Sequence, residues 1–189
     1  MHDHNPLSIA KALIACESVT PAQGAVFDVA GAILELLGFT VERFVAGAAD
    51  PEPEHGGPVE NLFAIRSPEN GKAGRHFAFA GHLDVVPPGN GWHSDAFHPE
   101  VRGDMLYGRG AVDMKGSIAA FIAALADIPR DLGTVSLILT GDEEGPAIHG
   151  TRALITHMQA RDNVPDFCLV GEPTSVNQLG DVMKVGRRG

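Results

Sequence analysis

The chain has 189 residues, of which 44% are hydrophobic, and its net charge is −10 at neutral pH. This size suffices for one domain with a buried core, and the acidic balance disfavours a nucleic-acid backbone as a partner. No apolar run approaches the roughly 20 residues that span a bilayer, and the N-terminus lacks the features of a signal peptide. Cys16 and Cys168 are expected to be buried thiols in a reducing compartment. We therefore expect a cytoplasmic protein with no nucleic-acid or membrane partner.

Two helices and a strand are predicted at the start of the chain. Asn5 is a suitable N-cap and Pro6 a suitable first-turn residue for the first helix. Apolar residues at helical spacing predict the second helix over residues 21–37, and Gly38 ends it. An alternating pattern then predicts a strand over residues 39–44.

The rest of the chain alternates between strands and helices after a surface loop. Residues 46–58 are rich in Gly, Pro, Ala and acid and predict that loop. Apolar runs predict further strands, at residues 61–66, 76–80, 135–139, 167–170 and 182–185. Helices are predicted at residues 118–128, which are apolar nearly all round like a buried helix, and at 151–160. This order indicates an α/β fold with a mostly parallel mixed sheet flanked by helices.

Acidic and imidazole side chains follow several of the predicted strands, at or near Gly turns. They are His82, Asp113, Glu143, Glu144 and Glu172. In an α/β sheet, ligands bind at the carboxyl ends of the strands. One imidazole with several carboxylates suits Zn²⁺ or a similar divalent ion. Asp84, two residues after the histidine, is placed to fix the imidazole tautomer through its second nitrogen.

Each of these residues also has a plain structural interpretation. A histidine after a strand is often a surface residue, Asp113 is suited to cap a helix, and Glu172 precedes a proline, as turn residues do. Two adjacent carboxylates at a strand end, however, raise the free energy unless a cation lies there. Several such groups in one domain favour the metal site. His2, His4 and His55 are expected to be solvated, and His149 and His157 are expected on or near a helix surface.

A two-metal site would explain why two glutamates are adjacent. Metal ions about 3.5–4 Å apart share a bridging carboxylate and lower the pKa of a water between them. A further carboxylate, which does not bind metal, must take the proton of that water and pass it to the leaving amine. The adjacent pair supplies one ligand and one base. A phosphate loop is excluded at residues 110–117, because the Gly-x-x-x-x-Gly-Lys-Ser/Thr order is absent.

Longer motifs contain these residues and resemble one family. The motifs are GHLDVVPPG at 81–89, LYGRGAVDMKGS at 106–117, GDEEG at 141–145 and CLVGEPTS at 168–175, with Trp92, Phe97 and Pro99 between the first two. They resemble the co-catalytic zinc amidohydrolases, which include acetylornithine deacetylase, aminoacylase and glutamate-releasing carboxypeptidases. The resemblance covers nearly the whole chain and implies a zinc-aminopeptidase-like catalytic domain.

The resemblance implies a role for each residue of the site. His82, Asp113 and Glu172 would hold one zinc ion, with the aspartate bridging to a second ion that Glu144 binds. Glu143 would be the general base. Cobalt is a possible substitute for zinc.

Further expectations from the resemblance concern residues beside the metal ligands. Asp84 would orient His82, and the peptide bond between Asp113 and Met114 would be cis. Arg187 would bind a substrate carboxylate, a task that suits its planar guanidinium.

The closing segment, LGDVMKVGRRG at 179–189, is most similar to the desuccinylases of the family. This implies hydrolysis of N-succinyl-LL-2,6-diaminopimelate to succinate and LL-diaminopimelate, a step toward lysine and cell-wall diaminopimelate. An acetylornithine deacetylase-like or other N-acyl amino acid hydrolase is the alternative, as is a non-catalytic metal-binding module.

The resemblance also implies that the chain is an incomplete enzyme. Family members continue into a dimerisation domain and then complete the catalytic domain, which supplies a histidine to the second zinc. We therefore expect residues 1–189 to be the N-terminal part of the catalytic domain, to bind at most one zinc tightly and to be inactive alone. The full-length enzyme would be a homodimer that binds two zinc ions and acts on a small N-succinyl amino acid.

Overall fold

The structure is a computed structural model that describes residues 5–71, 74–178 and 181–182. In these ranges the helices are α1 Pro6–Ile14, α2 Ala25–Leu36, α3 Gly116–Asp127 and α4 Thr151–Gln159. The strands are β1 Thr40–Ala46, β2 Val59–Arg66, β3 His76–His82, β4 Glu100–Arg102, β5 Met105–Tyr107, β6 Thr134–Thr140 and β7 Phe167–Val170. A short 3₁₀ turn, Pro53–His55, lies between β1 and β2, and an irregular turn, Ala111–Lys115, precedes α3.

Five of the strands form one mixed sheet in the order β1-β2-β6-β3-β7. The β1–β2 and β2–β6 pairs are antiparallel, whereas β3 pairs in parallel with both β6 and β7. His82 at the end of β3 lies opposite Thr140 at the end of β6, and Ala80 lies opposite Val170 at the end of β7. The carboxyl ends of these three strands therefore meet at one edge of the sheet. The predicted mixed sheet flanked by helices is confirmed, with two of its four pairings parallel.

Helices cover both faces of the sheet, and the side chains of each strand alternate between them. Leu62 of β2 packs in the larger core with α1, α2 and α3, while its neighbour Phe63 packs in the smaller core with α4. Leu137 and Ile138 of β6 divide in the same way. This alternation is the two-residue period of a strand, and it explains why the central strands have continuous apolar runs.

Caps fix both ends of α1. The side-chain oxygen of Asn5 accepts a hydrogen bond from the backbone N–H of Leu7 at 2.8 Å, as the sequence predicts. At the other end, the buried ammonium of Lys115 donates to the carbonyl oxygens of Leu13 and Cys16 at 2.9 and 3.2 Å. Lys115 thereby ties α1 to the irregular turn before α3.

Some predictions differ from the structure in informative ways. Helix α3 is buried along one face only, because Ala120 and Ala124 face solvent, where small apolar side chains add little exposed area. Cys168 is exposed rather than buried, since β7 is the last strand of the sheet. The second helix begins at Ala25 instead of residue 21, after Gly24 with a φ of 73°. The strand predicted at 182–185 lies largely outside the described residues.

The short β4–β5 hairpin was not predicted from the sequence. Its strands are three residues long and exposed, so their pattern carries no clear signal. None of the described helices is long and apolar enough to cross a membrane.

Candidate metal centre

His82 stands at the edge where the three parallel strands end, and its side chain is 1% exposed. Its Nδ1 donates to the backbone carbonyl oxygen of Asp84 at 2.9 Å, while its own backbone N–H donates to the sulfur of Met114 at 3.3 Å. Because Nδ1 is taken up as a donor to this carbonyl, Nε2 is the atom that would face a metal ion once the ring has released its second proton.

Carboxylates surround this Nε2 atom. An oxygen of Asp113 lies 3.1 Å from it, an oxygen of Glu172 lies 3.4 Å away and an oxygen of Glu143 lies 3.9 Å away. Glu144 joins the same site, because one atom each from His82, Asp113 and Glu144 lie within 4.8 Å of one another. We call His82, Asp113, Glu143, Glu144 and Glu172 the central cluster. All five residues that the sequence predicts for the metal site and its base are thus brought together.

The charges of the central cluster suit a cation. Burial opposes a charged His82, but hydrogen bonding and charge from Asp84, aided by Glu143, outweigh it and raise the pKa of the imidazole to about 9. Burial raises the pKa of Glu144, with further contributions from Asp113 and Glu143. Four carboxylates beside one imidazole leave an excess of negative charge, which a divalent ion with nitrogen and oxygen ligands would neutralise. The residues therefore fit such an ion.

Asp84 connects the histidine to the two adjacent glutamates. Its fully buried carboxylate accepts hydrogen bonds from the backbone N–H groups of Glu143 and Glu144, at 3.1 and 3.0 Å. Burial opposes its charge, yet His82 and these two N–H groups lower the pKa of Asp84 overall. The nearest contact of Asp84 to the imidazole is through its backbone carbonyl, and its carboxylate oxygen lies 3.5 Å from Nδ1. Asp84 fixes the backbone of both glutamates as well as the ring.

The turn that carries Asp113 depends on tight packing of the backbone. The Asp113–Met114 peptide bond is cis, as the resemblance implied. A Cβ atom at Gly116 would overlap the carbonyl oxygen of Ala111, so this position requires glycine. Met114 itself is fully buried and contacts the backbone of His82.

Glu172 is held by the end of β7 and by α3. The N–H of Gly171 donates to the carbonyl of Ala80 at 3.1 Å, and the hydroxyl of Ser117 donates to the carbonyl of Gly171 at 2.7 Å. A Cβ atom at Gly171 would overlap the ring of Phe79. These contacts fix the backbone of Gly171, and Glu172 is therefore directed toward His82.

Asp142 is a site residue that sequence reasoning missed. It is fully buried beside the glutamate pair, where it accepts hydrogen bonds from Thr20 at 3.4 Å and from the backbone of Ala147 at 3.1 Å. Burial, reinforced by the charge of Asp84, raises its pKa. It holds the loop that follows Glu144. The acidic run at 142–144 was the available signal, but it does not distinguish the buried aspartate from the glutamates.

A pocket of about 310 Å³ opens beside Asp113 and Glu144. Trp92 and Arg109 line it, with the guanidinium carbon 5.6 Å from the centre of the indole ring. The indole N–H and the guanidinium both donate to the carbonyl of Pro88 at 2.9 Å. Trp92 packs against the loop that contains Pro88 and also forms one wall of this pocket. Arg187 lies outside the described residues.

Comparison with known proteins identifies the class. Residues 78–185 match Peptidase family M20/M25/M40, and the chain belongs to this family. The family is metal-dependent, in agreement with the central cluster. A succinyl-diaminopimelate desuccinylase of Sphingopyxis alaskensis is 67% identical over 98% of this chain and 47% of its own length. The chain thus spans about half the length of the curated relatives it matches.

Solved structures agree with the fold. Human carnosine dipeptidase 1 is 25% identical and aligns with a TM-score of 0.72 over 90% of this chain and 38% of its own. An M20 family metallo-carboxypeptidase from Sulfolobus solfataricus, Sso-CP2, is 19% identical with a TM-score of 0.66 over 92% of this chain and 38% of its own. These alignments support the catalytic-domain fold that the sequence implied.

Proposed function

We propose that the central cluster is the zinc centre of an amide hydrolase. The observation that carries the proposal is the convergence of carboxylates on the Nε2 atom of the buried His82, with oxygens at 3.1, 3.4 and 3.9 Å. A solvated acidic surface would not place a buried imidazole at its centre. Bound divalent ions would supply Lewis acidity and lower the pKa of the attacking water.

The proposed ligands are His82, Asp113 and Glu172 for one ion and Asp113 with Glu144 for the other. Two groups of mutually close ligand atoms cover these residues, one formed by His82, Asp113 and Glu144 and the other by His82, Glu143 and Glu172. The first group contains His82, which the proposal assigns to the other ion, and the second contains Glu143 where the proposal has Asp113. The role of Glu143, as ligand or as base, is therefore what an experiment must decide.

Glu143 is the proposed general base. Its side chain is 47% exposed, more than that of Glu172, and its backbone is fixed by Asp84. A carboxylate in this position can accept a proton from the attacking water and then deliver it to the leaving amine. Burial raises the pKa of Glu144 beside it, and the charge of an ion would favour the ionised form of this carboxylate.

The proposed substrate of the whole protein is N-succinyl-LL-2,6-diaminopimelate, which is cleaved to succinate and LL-diaminopimelate on the way to lysine. The name and 67% identity of the Sphingopyxis alaskensis relative support this substrate. The pocket beside Asp113 and Glu144 offers space for part of it, and Arg187 is the proposed partner of a substrate carboxylate.

We further propose that residues 1–189 are the N-terminal part of the catalytic domain. Their match to about 47% of the relative supports this assignment. The whole protein would then be a cytoplasmic homodimer that binds two zinc ions at each central cluster and accepts cobalt in their place. In the 189 residues alone, the central cluster would hold at most one zinc tightly, because Asp113 and Glu144 are the only ligands proposed for its second ion.

The decisive experiment compares Glu143→Gln with Glu144→Gln in the intact protein. Glu143→Gln should keep the zinc content and lower kcat by about 10²–10⁴-fold, the usual contribution of a general base. Glu144→Gln should lower the zinc content. If Glu143→Gln removed zinc and left turnover per zinc unchanged, the two roles would be exchanged. A higher kcat/KM on acetylornithine than on the succinylated substrate would overturn the proposed specificity and leave the hydrolase standing.

A further inference from the structure

A second group of ligand-type side chains lies outside the central cluster. One carboxylate oxygen of Asp50, Oδ2, is 2.8 Å from Nδ1 of His55 and 2.8 Å from Nε2 of His149. The three ligand atoms all lie within 4.8 Å of one another. We call these three residues the peripheral cluster. They come from two separate segments, the loop between β1 and β2 and the segment that leads from Glu144 to α4.

Contacts from the backbone orient the members of the peripheral cluster. The other oxygen of Asp50, Oδ1, accepts the N–H of Glu52 at 3.0 Å, which directs Oδ2 toward the two imidazoles. The carbonyl of His149 accepts a hydrogen bond from the buried side chain of Asn61 at 2.9 Å. Such outer contacts hold metal ligands in a fixed orientation.

Close packing of the two segments brings the imidazole of His149 to this position. Gly47 has a φ of 78°, and a Cβ atom there would overlap the His149 ring. A Cβ atom at Gly56 would lie 3.0 Å from the ring of Pro146. The loop between β1 and β2 therefore lies directly on the segment that follows the glutamate pair.

The geometry points to a second metal site: we propose that Asp50, His55 and His149 bind a divalent ion of the zinc type. Two imidazole nitrogens and one carboxylate oxygen are a usual three-ligand set for such ions, with a fourth position left for water. The side chains of Asp50, His55 and His149 are 18%, 35% and 17% exposed, so an ion can reach them from solvent.

Only a small movement is needed to admit the ion. Ligand atoms at about 2.0–2.1 Å from a tetrahedral ion are about 3.3 Å from one another. The two nitrogens now lie 2.8 Å from the oxygen, so each pair must separate by about 0.5 Å, the difference between these distances. Rotations about the side-chain bonds of Asp50 and of the partly exposed His55 can provide this.

An ion at the peripheral cluster would join the loop between β1 and β2 to the segment after Glu144. The ion would thereby stabilise the surroundings of the central cluster without being part of it. This site uses none of the residues of the central cluster and does not depend on the proposed hydrolase activity.

The test measures zinc binding by the metal-free intact protein, by competition with a coloured chelator. His149→Ala and Asp50→Asn should each lower the affinity for one equivalent of zinc by more than about 100-fold. Loss of a group that merely orients a ligand already lowers metal affinity by about 10–100-fold. Asp50→Asn keeps a hydrogen-bond acceptor for the imidazoles and thus separates metal binding from simple hydrogen bonding. His98→Ala is the matched control, because it removes an exposed imidazole elsewhere.

Two further arms keep the result independent of folding and of the central cluster. His82→Ala should leave the binding of one equivalent of zinc at the peripheral cluster unchanged. In the unchanged protein, zinc should protect His55 and His149 from modification by diethyl pyrocarbonate while His98 still reacts. If the unchanged protein showed no such protection, or if His149→Ala and Asp50→Asn bound as much zinc as the control with equal affinity, the peripheral site would be ruled out.

Discussion

The central and peripheral clusters combine the same side-chain types in opposite settings. In the central cluster, one imidazole that is 1% exposed stands at the end of β3, and four carboxylates face it. In the peripheral cluster, two imidazoles share one carboxylate oxygen on partly exposed loops. Strand register positions the first, whereas contact between two irregular segments positions the second.

This difference in setting predicts a difference in metal affinity between the two clusters. Excess negative charge around a buried imidazole makes the central cluster unfavourable without an ion. Accordingly, the pKa of His82 is raised to about 9, so that the ring keeps a second proton when no ion is bound. The peripheral cluster has hydrogen bonds that satisfy its three members without an ion. We therefore expect the central cluster to bind metal more tightly and the peripheral cluster to exchange it more readily.

The largest expected effect is the loss of activity when the histidine of the central cluster, rather than one of the peripheral cluster, is replaced. In the intact protein, His82→Ala should remove metal from the central cluster and reduce kcat/KM by more than the about 10²–10⁴-fold that loss of a base costs. His149→Ala should leave kcat/KM within a few-fold of the unchanged protein. Equal losses of kcat/KM in the two variants would show that the clusters form one functional unit and would contradict their separation.

The next largest effect concerns the buried pair at the central cluster. Asp84→Ala should lower the free energy of unfolding of the metal-free protein by about 3–5 kcal/mol, because it removes the buried carboxylate that faces the imidazole of His82 and leaves two N–H groups without an acceptor. Asp50→Ala, at the exposed cluster, should cost much less. Urea titrations of both variants measure the difference, and similar losses would contradict the role given to burial.

A smaller loss is expected where β7 meets the central cluster. Gly171→Ala should force the Phe79 ring to move, at about 1–3 kcal/mol, and should also weaken zinc binding through Glu172. Gly31→Ala is the matched control in α2: its Cβ atom would lie 3.6 Å from Val41, an ordinary contact, so the change should stabilise by about 0.5–1 kcal/mol. Thermal melts with and without zinc measure the stability of both variants. An unchanged zinc affinity in Gly171→Ala would contradict the link between Gly171 and the zinc ligand Glu172.

The smallest effect is the change that His76→Gln makes to the pH dependence of the metal-free protein, at most about 1.4 kcal/mol per pH unit for one proton. The pKa of His82 is raised to about 9, so its stabilisation is complete below about pH 6.5 and lost as the pH rises toward 9. Burial lowers the pKa of His76 at the other end of β3, so its contribution is lost as the pH falls below about 6.5. His76→Gln should therefore flatten the acid side of a stability profile and leave the alkaline side unchanged; the reverse pattern would contradict these assignments.

The central cluster could be predicted from sequence because regular structure positions it. His82 and Glu172 follow strands whose apolar pattern is clear, and strands that pair in parallel end at a common edge. The same logic gave the order of helices and strands and the mixed sheet. Asp142 was not predicted, because the sequence does not show which of the three consecutive acidic residues at 142–144 is buried; tertiary packing decides this.

The peripheral cluster could not be predicted from sequence. Asp50 and His149 are far apart along the chain and belong to no motif, and His55 lies in a loop without a periodic pattern. His149 lies near the start of α4 and His55 is partly exposed, but the sequence did not indicate that both contact Asp50. His157 is not on the surface: its ring stacks on Phe44 with the ring centres 4.6 Å apart. Contacts between loops depend on the finished fold.

A crystal structure of the zinc-loaded intact protein, with anomalous data collected at the zinc edge, would show directly where the ion binds. We expect an anomalous peak within bonding distance, about 2.0–2.1 Å, of Nε2 of His82, with Asp113 and Glu172 as further ligands and Glu143 outside the ligand set. The absence of a peak at His82, in a protein that hydrolyses the succinylated substrate, would contradict this expectation.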